Sequence, residues 1–129
     1  MMIRKSLILI SIFSLFYGLI FLFLPNVFAE VTVADKINIA WLRTIGASII
    51  GVLFIGLILV YKSPRKNYDL FKVITLTSVL QTIGLIFSRF SNEFSAQKIL
   101  IVDFTIYSAI FVTLYLVFIL TKYNKIFNK

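Results

Sequence analysis

Four runs of apolar residues, each about as long as a bilayer crossing, leave this chain few ways to fold. They lie at 6–27, 38–61, 69–90 and 98–121. A helix rises 1.5 Å per residue, so about 20 residues cross a hydrocarbon core ~30 Å thick. The runs are continuous rather than alternating apolar and polar, which fits helices and not the strands of a membrane barrel. The connections at 28–37, 62–68 and 91–97 are too short to hold a domain, so consecutive helices are expected to be antiparallel neighbours. The predicted fold is an all-α membrane protein: a single domain, 1–129, arranged as an up-down-up-down four-helix transmembrane bundle.

Composition supports the same class. Hydrophobic residues make up 60% of the 129 residues and charged residues 14%, and a soluble domain of this size has no interior for so much apolar surface. Cysteine and histidine are both absent, which excludes disulfides, thiol chemistry, zinc sites of the usual kind, histidine-ligated haem and a histidine base. No metal or cofactor is expected. The net charge of +8 would suggest nucleic acid in a soluble domain, but no basic face here carries interleaved aromatics, and nucleic acid is not an expected partner.

The basic residues instead give an orientation. Arg4, Lys5, Lys62, Arg65, Lys66, Lys72, Lys122, Lys125 and Lys129 fall on one side of the predicted bundle, with Asp69 the one acid among them. The other side has Lys36, Arg43, Arg89 and Lys98, offset by Glu30, Asp35, Glu93 and Asp103. Lys and Arg are retained on the cytoplasmic side, so both termini are expected there, with the loop KSPRK and the tail KYNKIFNK setting topology and touching anionic lipid. The start of the chain also has the outline of a secretion signal, ending at Val27-Phe28-Ala29. Its apolar stretch from Leu7 to Leu24 is longer than the 7 to 15 residues such signals use, so the first helix is expected to be retained.

Polar residues within the spans are the informative ones, because each is costly in hydrocarbon and should turn toward the bundle or toward water. In the third span, Thr77, Gln81, Gly84 and Ser88 fall on one line, with Thr75, Ser78, Thr82 and Arg89 beside it. Leu76, Val79, Leu80, Ile83, Ile86, Phe87 and Phe90 form the opposite, lipid-facing half. Either the polar line packs helices together, or Gln81, near mid-span, lines a cavity or binds a ligand. Arg43, Ala47 and Gly51 in the second span, and Ser11, Ser14 and Gly18 in the first, give small-residue faces that allow close approach. Pro25 reads as a terminator or kink, and Trp41 as an interfacial anchor.

Arg43, Arg89 and Asp103 form the charged constellation, at the end opposite the termini. Arg43 and Asp103 each lie five residues into their spans, ~7–8 Å at 1.5 Å per residue, and Arg89 is shallow enough to reach the headgroups. Arg43 and Asp103 are predicted to pair, with Tyr107 one turn beyond as a further hydrogen-bond partner. Two readings follow: a structural ion pair, or a polar site for an anionic headgroup, a carboxylate or a quinone's oxygens. Arg43, Gln81, Arg89, Asp103 and Tyr107 are the candidate ligand-binding residues; none is a candidate catalyst, since no nucleophile and base are paired.

The runs LFYGLIFLFLP, WLRTIGASIIGVLFIG and IGLIFSRF resemble the small bacterial four-helix membrane proteins of the DoxX-like kind. The resemblance implies the bundle and a bacterial inner membrane, and some relatives of that kind are associated with quinone-linked respiratory or sulfur oxidation complexes. The expected function is a non-catalytic binding or accessory protein for a lipid, quinone or other small amphiphile, with a membrane complex or a second copy as further partners. The alternative is a small transporter or channel component acting as an oligomer.

Overall fold

A computed structural model of the chain describes residues 2–32, 39–91 and 99–127. Among these there are α-helices and no strand. The helices are α1 (Met2–Phe23), α2 (Pro25–Thr32), α3 (Ile39–Ser48), α4 (Gly56–Lys62), α5 (Tyr68–Phe90), α6 (Ile99–Thr121) and α7 (Tyr123–Phe127), with a π-helical segment, Ile49–Ile55, running between α3 and α4 without a break. Four stretches are long and apolar enough to cross a membrane: Lys5–Phe23, Leu42–Lys62, Tyr68–Phe90 and Val102–Thr121.

The first helix begins earlier and ends differently from its predicted 6–27 span. Pro25 cannot donate to the helical ladder, and its ring crowds the preceding turn. The helix therefore breaks at Leu24, and Pro25 opens α2 in the first-turn position that tolerates it. A hydrogen bond from Phe28 N to Leu24 O at 3.2 Å carries the chain across the break. Of the two expected roles for Pro25, terminator or kink, the helix shows the kink. At the far end of α4, the Asn67 side-chain amide donates to Leu59 O (3.0 Å) and Ser63 O (2.9 Å), a second donor for carbonyls that already accept from Ser63 N and Asn67 N.

The surface is inverted relative to a soluble protein. Phe16, Leu76, Phe87 and Phe111 are all at least 60% exposed, whereas Ser11, Thr75, Ser78, Thr82 and Thr113 are buried. A contiguous apolar exterior of this kind marks contact with something other than water. Hydroxyls inside are satisfied locally. Ser14 bonds Ile10 O, Thr75 bonds Phe71 O and Thr82 bonds Ser78 O, each to the carbonyl four residues back at 2.8–2.9 Å. Among the described residues no buried side-chain nitrogen or oxygen lacks a partner.

Two helix pairs organise the packing. Along α1, partners on the second helical stretch fall in number as residues rise: Ser11 Oγ donates to Phe54 O at 3.2 Å, and Gly18 lies against Ile50 and Gly46. A Cβ at Gly46 would sit 2.7 Å from Leu22 N and 2.8 Å from Gly18 O, so only glycine lets these backbones meet. Between α5 and α6 the contact is polar. Ser78 Oγ and Thr113 Oγ1 are 2.7 Å apart, and Thr82 Oγ1 and Thr113 Oγ1 2.8 Å. Gly56 of α4 lies on Ile74 of α5, and Ser6 Oγ meets Tyr115 Oη at 2.8 Å, so the first span touches the last.

The expected small-residue face of the second helix is corrected. Arg43, Ala47 and Gly51 are exposed, and a Cβ at Gly51 would meet nothing within 4 Å. Gly46, immediately before Ala47 and about 100° around the helix from it, makes the close contact instead. On α1 the expected face holds: Ser11, Ser14 and Gly18 are buried, as is Pro25.

Candidate functional site

The charged pair that forms is Arg89 with Asp103, at 2.7 Å from Nε to Oδ1. This replaces the expected Arg43–Asp103 pair. The reason lies in connectivity: α5 and α6 are joined by a short segment and pack side by side, so a residue in the last turn of α5 lies level with one in the second turn of α6. Arg43 is exposed and makes no ion pair with a described residue.

Arg89 and Asp103 are each about one-third exposed at the side chain, so the pair sits at an edge between helices rather than in the core. The apolar residues behind it, Val102 and Ile106, are buried. Tyr107, one turn along α6 from Asp103 and on the same face, is 69% exposed, and no hydrogen bond joins it to Asp103 among the described residues. Gln81 lies at the margin of the bundle rather than inside it: the buried face of α5 runs through Phe71, Ile74, Thr75, Ser78 and Thr82, and the neighbouring Gly84 is exposed with open space around it. The polar line drawn through Thr77, Gln81, Gly84 and Ser88 is therefore rotated by part of a turn from the true contact face. Of the opposite half of α5, Leu76, Leu80, Ile83, Phe87 and Phe90 are strongly exposed as expected, while Val79 and Ile86 are half-buried. Of the five candidate residues, the fold brings together Arg89 and Asp103, keeps Tyr107 adjacent, and sets Arg43 and Gln81 at separate places on the surface. The side chain of Trp41 and the residues Asp35, Lys36, Glu93 and Lys98 lie outside the described ones.

A second polar assembly went unforeseen in the sequence. At the end carrying the termini, α7 folds back on the 63–67 loop. Tyr123 Oη donates to Pro64 O at 2.7 Å and Arg65 Nε donates to Phe127 O at 3.3 Å. The Tyr123 ring is 4.8 Å from Tyr68, 5.2 Å from Phe71 and 4.6 Å from Phe127, centre to centre. Burial among these rings, with a smaller effect of the Tyr68 phenol, pushes the Tyr123 phenol up to about 12. The i, i+4 spacing of Tyr123 and Phe127 was the available signal, masked by the five polar and basic residues of the tail around it.

Among the described residues no group of three or more carboxylate, imidazole or thiol side chains could hold a metal ion. Chemically, then, the charged site can offer a guanidinium and a carboxylate at the rim of an apolar surface. A guanidinium carries five N–H donors, and the Nε contact alone does not exhaust it. No family model matches the chain, and neither a curated protein nor a solved structure matches it.

Proposed function

We propose that the protein is a multi-pass integral membrane protein, without catalytic activity of its own, that holds an amphiphile at the Arg89–Asp103 edge. The observation that carries this reading is a charged pair one-third exposed at the end of two helices whose outward faces are otherwise apolar. A ligand with a polar head and an apolar body satisfies both surfaces at once: its phosphate, carboxylate or quinone oxygen takes guanidinium donors, and its tail lies along α5 and α6.

The four spans cross the bilayer up, down, up and down. Falling partner numbers along α1 and the second stretch, and along α5 and α6, support this alternation, with Ser78 opposite Thr113 and Arg89 opposite Asp103. Both termini are cytoplasmic, on the weight of basic residues at that end, and the membrane is a bacterial inner membrane, as the DoxX-like resemblance implies. The hydroxyls in the interior bond one another and helix carbonyls, which favours a binding protein over a conducting path through one chain.

Mass spectrometry of gently extracted protein tests the reading. Wild type is expected to retain a lipid or quinone that Arg89→Gln loses while Arg43→Gln keeps it. Equal retention in both variants, or none in wild type, overturns the site. Protease accessibility of tags on the two termini in inverted vesicles checks the orientation.

A further inference from the structure

The end of the molecule that carries the termini has a feature the amphiphile site does not explain. Lys62, Arg65, Lys66, Lys122 and Lys125 are all exposed there. They are gathered into one rim because α7 is seated on the loop, through Tyr123 on Pro64 and Phe127 on Arg65. The tail is thus a fixed ledge: Tyr123 and Phe127 face inward and are buried, while Lys122, Asn124 and Lys125 face outward. The neighbouring acid does not neutralise the rim, since Asp69 is engaged by Lys72 at 2.9 Å, whose ammonium also lies 4.3 Å from the Tyr68 ring centre.

We propose that this rim is a binding surface for anionic phospholipid, with lipid phosphates seated between the 62–66 loop and the tail helix. The inference rests on the membrane-spanning reading above. Position favours a lipid over a soluble polyanion: Lys62 is the last residue of α4 and Lys122 follows the last residue of α6, so the cations stand at the ends of apolar spans, at headgroup depth. Clusters of four to eight Lys and Arg at this depth attract an anionic leaflet. A disordered basic tail would do so loosely and by charge count alone. The docked α7 holds two of the cations in fixed register with the three of the loop, so the arrangement, not only the charge, contributes.

The full-length protein is reconstituted into bilayers of mixed phosphatidylglycerol and phosphatidylcholine, extracted gently, and its retained lipids are counted by native mass spectrometry. Wild type is expected to be enriched in phosphatidylglycerol over the bulk, Lys122→Gln/Lys125→Gln to lose the enrichment by about fivefold per cation, and Phe127→Ser to weaken it with every charge kept. Unchanged enrichment in the double variant, or a retained-lipid ratio equal to the bulk in wild type, overturns the proposal. Salt-sensitive binding of RNA to the detergent-solubilised protein without lipid enrichment also overturns it, in favour of a soluble polyanion. Failure to incorporate into bilayers of either lipid defeats the membrane-spanning reading itself, which separates the two failures. Helicity by circular dichroism confirms that each variant is folded.

Discussion

The two helix pairs of this protein solve the same packing problem by different chemistry. Along α1 and α3 the backbones meet at Gly18 and Gly46, neither of which has a side chain to hold them apart. Along α5 and α6 the gap is filled by Ser78, Thr82 and Thr113, whose hydroxyls bond across it, and is closed at one end by Arg89 and Asp103. In lipid no hydrophobic force drives apolar helices together, so association must come from close van der Waals contact or from interhelical hydrogen bonds. One pair uses the first and the other uses the second. The glycine contact is a steric condition that is met or not met, whereas the hydroxyl contact is a sum of modest bonds that degrades by steps.

That difference gives an order of expected effects. Gly46→Leu should be the most damaging single change, because even its Cβ overlaps backbone atoms of α1 that cannot rotate away; overpacking of this kind costs about 1–3 kcal/mol or more. Thermal unfolding in detergent should show a large loss of stability, and a wild-type melting curve would break the comparison. On the other pair, Thr113→Val removes bonds to both Ser78 and Thr82 and should cost roughly 0.6–1.7 kcal/mol, the range for interhelical hydrogen bonds in membranes. A double-mutant cycle with Ser78→Ala should give a coupling energy of the same sign and no larger.

Asp103→Asn should cost less, since the ion pair that it breaks is part-exposed at the edge between the helices. Its clearer effect should be on ligand retention. Alkaline titration reaches neither pair directly but reaches the tail. Tyr123, held to about 12, keeps its proton where an unfolded tyrosine loses one near 10. Its contribution to stability is therefore complete below pH ~10 and lost as pH rises through about 12. Ultraviolet absorbance should show Tyr123 ionising late, and Phe127→Ala should bring it back toward the ordinary range. The smallest effects belong to Gly51→Ala and Gly84→Ala, which add a methyl into open space and should stay within about 0.5 kcal/mol. A sizeable loss from either would mean that glycine matters here for something besides helix contact.

Apolar run length made the four spans legible in the sequence, and the break at Pro25 was visible as a proline in a helical run. Which face of each helix turns inward was only half legible. Ser11, Ser14 and Gly18 were found because serine and glycine stand out in an otherwise bulky helix. On α5 small and polar residues cover nearly half the circumference, so the Gln81 line and the Thr75–Ser78–Thr82 line were equally plausible. Partner helices decided between them. In the second span the phase itself is altered: the π-helical segment at Ile49–Ile55 turns less per residue than an α-helix, with i→i+5 bonding, so a wheel drawn at 100° per residue drifts through it. The Arg43–Asp103 expectation failed for a simpler reason. Arg43 and Asp103 match in depth, but the partner of Asp103 comes from α5, which a short segment joins to α6 and which packs beside it.

The bond between Ser6 and Tyr115 spans 109 positions of the chain, and this sets an order on assembly. Gly18 and Gly46 can meet once the second span is made, but Ser6 has no Tyr115 to meet until the fourth has left the ribosome. At about 5–20 residues per second, the first helix waits on the order of 5 to 20 seconds before the ring can close. Through that interval its inward serines depend on its own carbonyls, on the half-built neighbour, or on whatever guides the nascent chain into place.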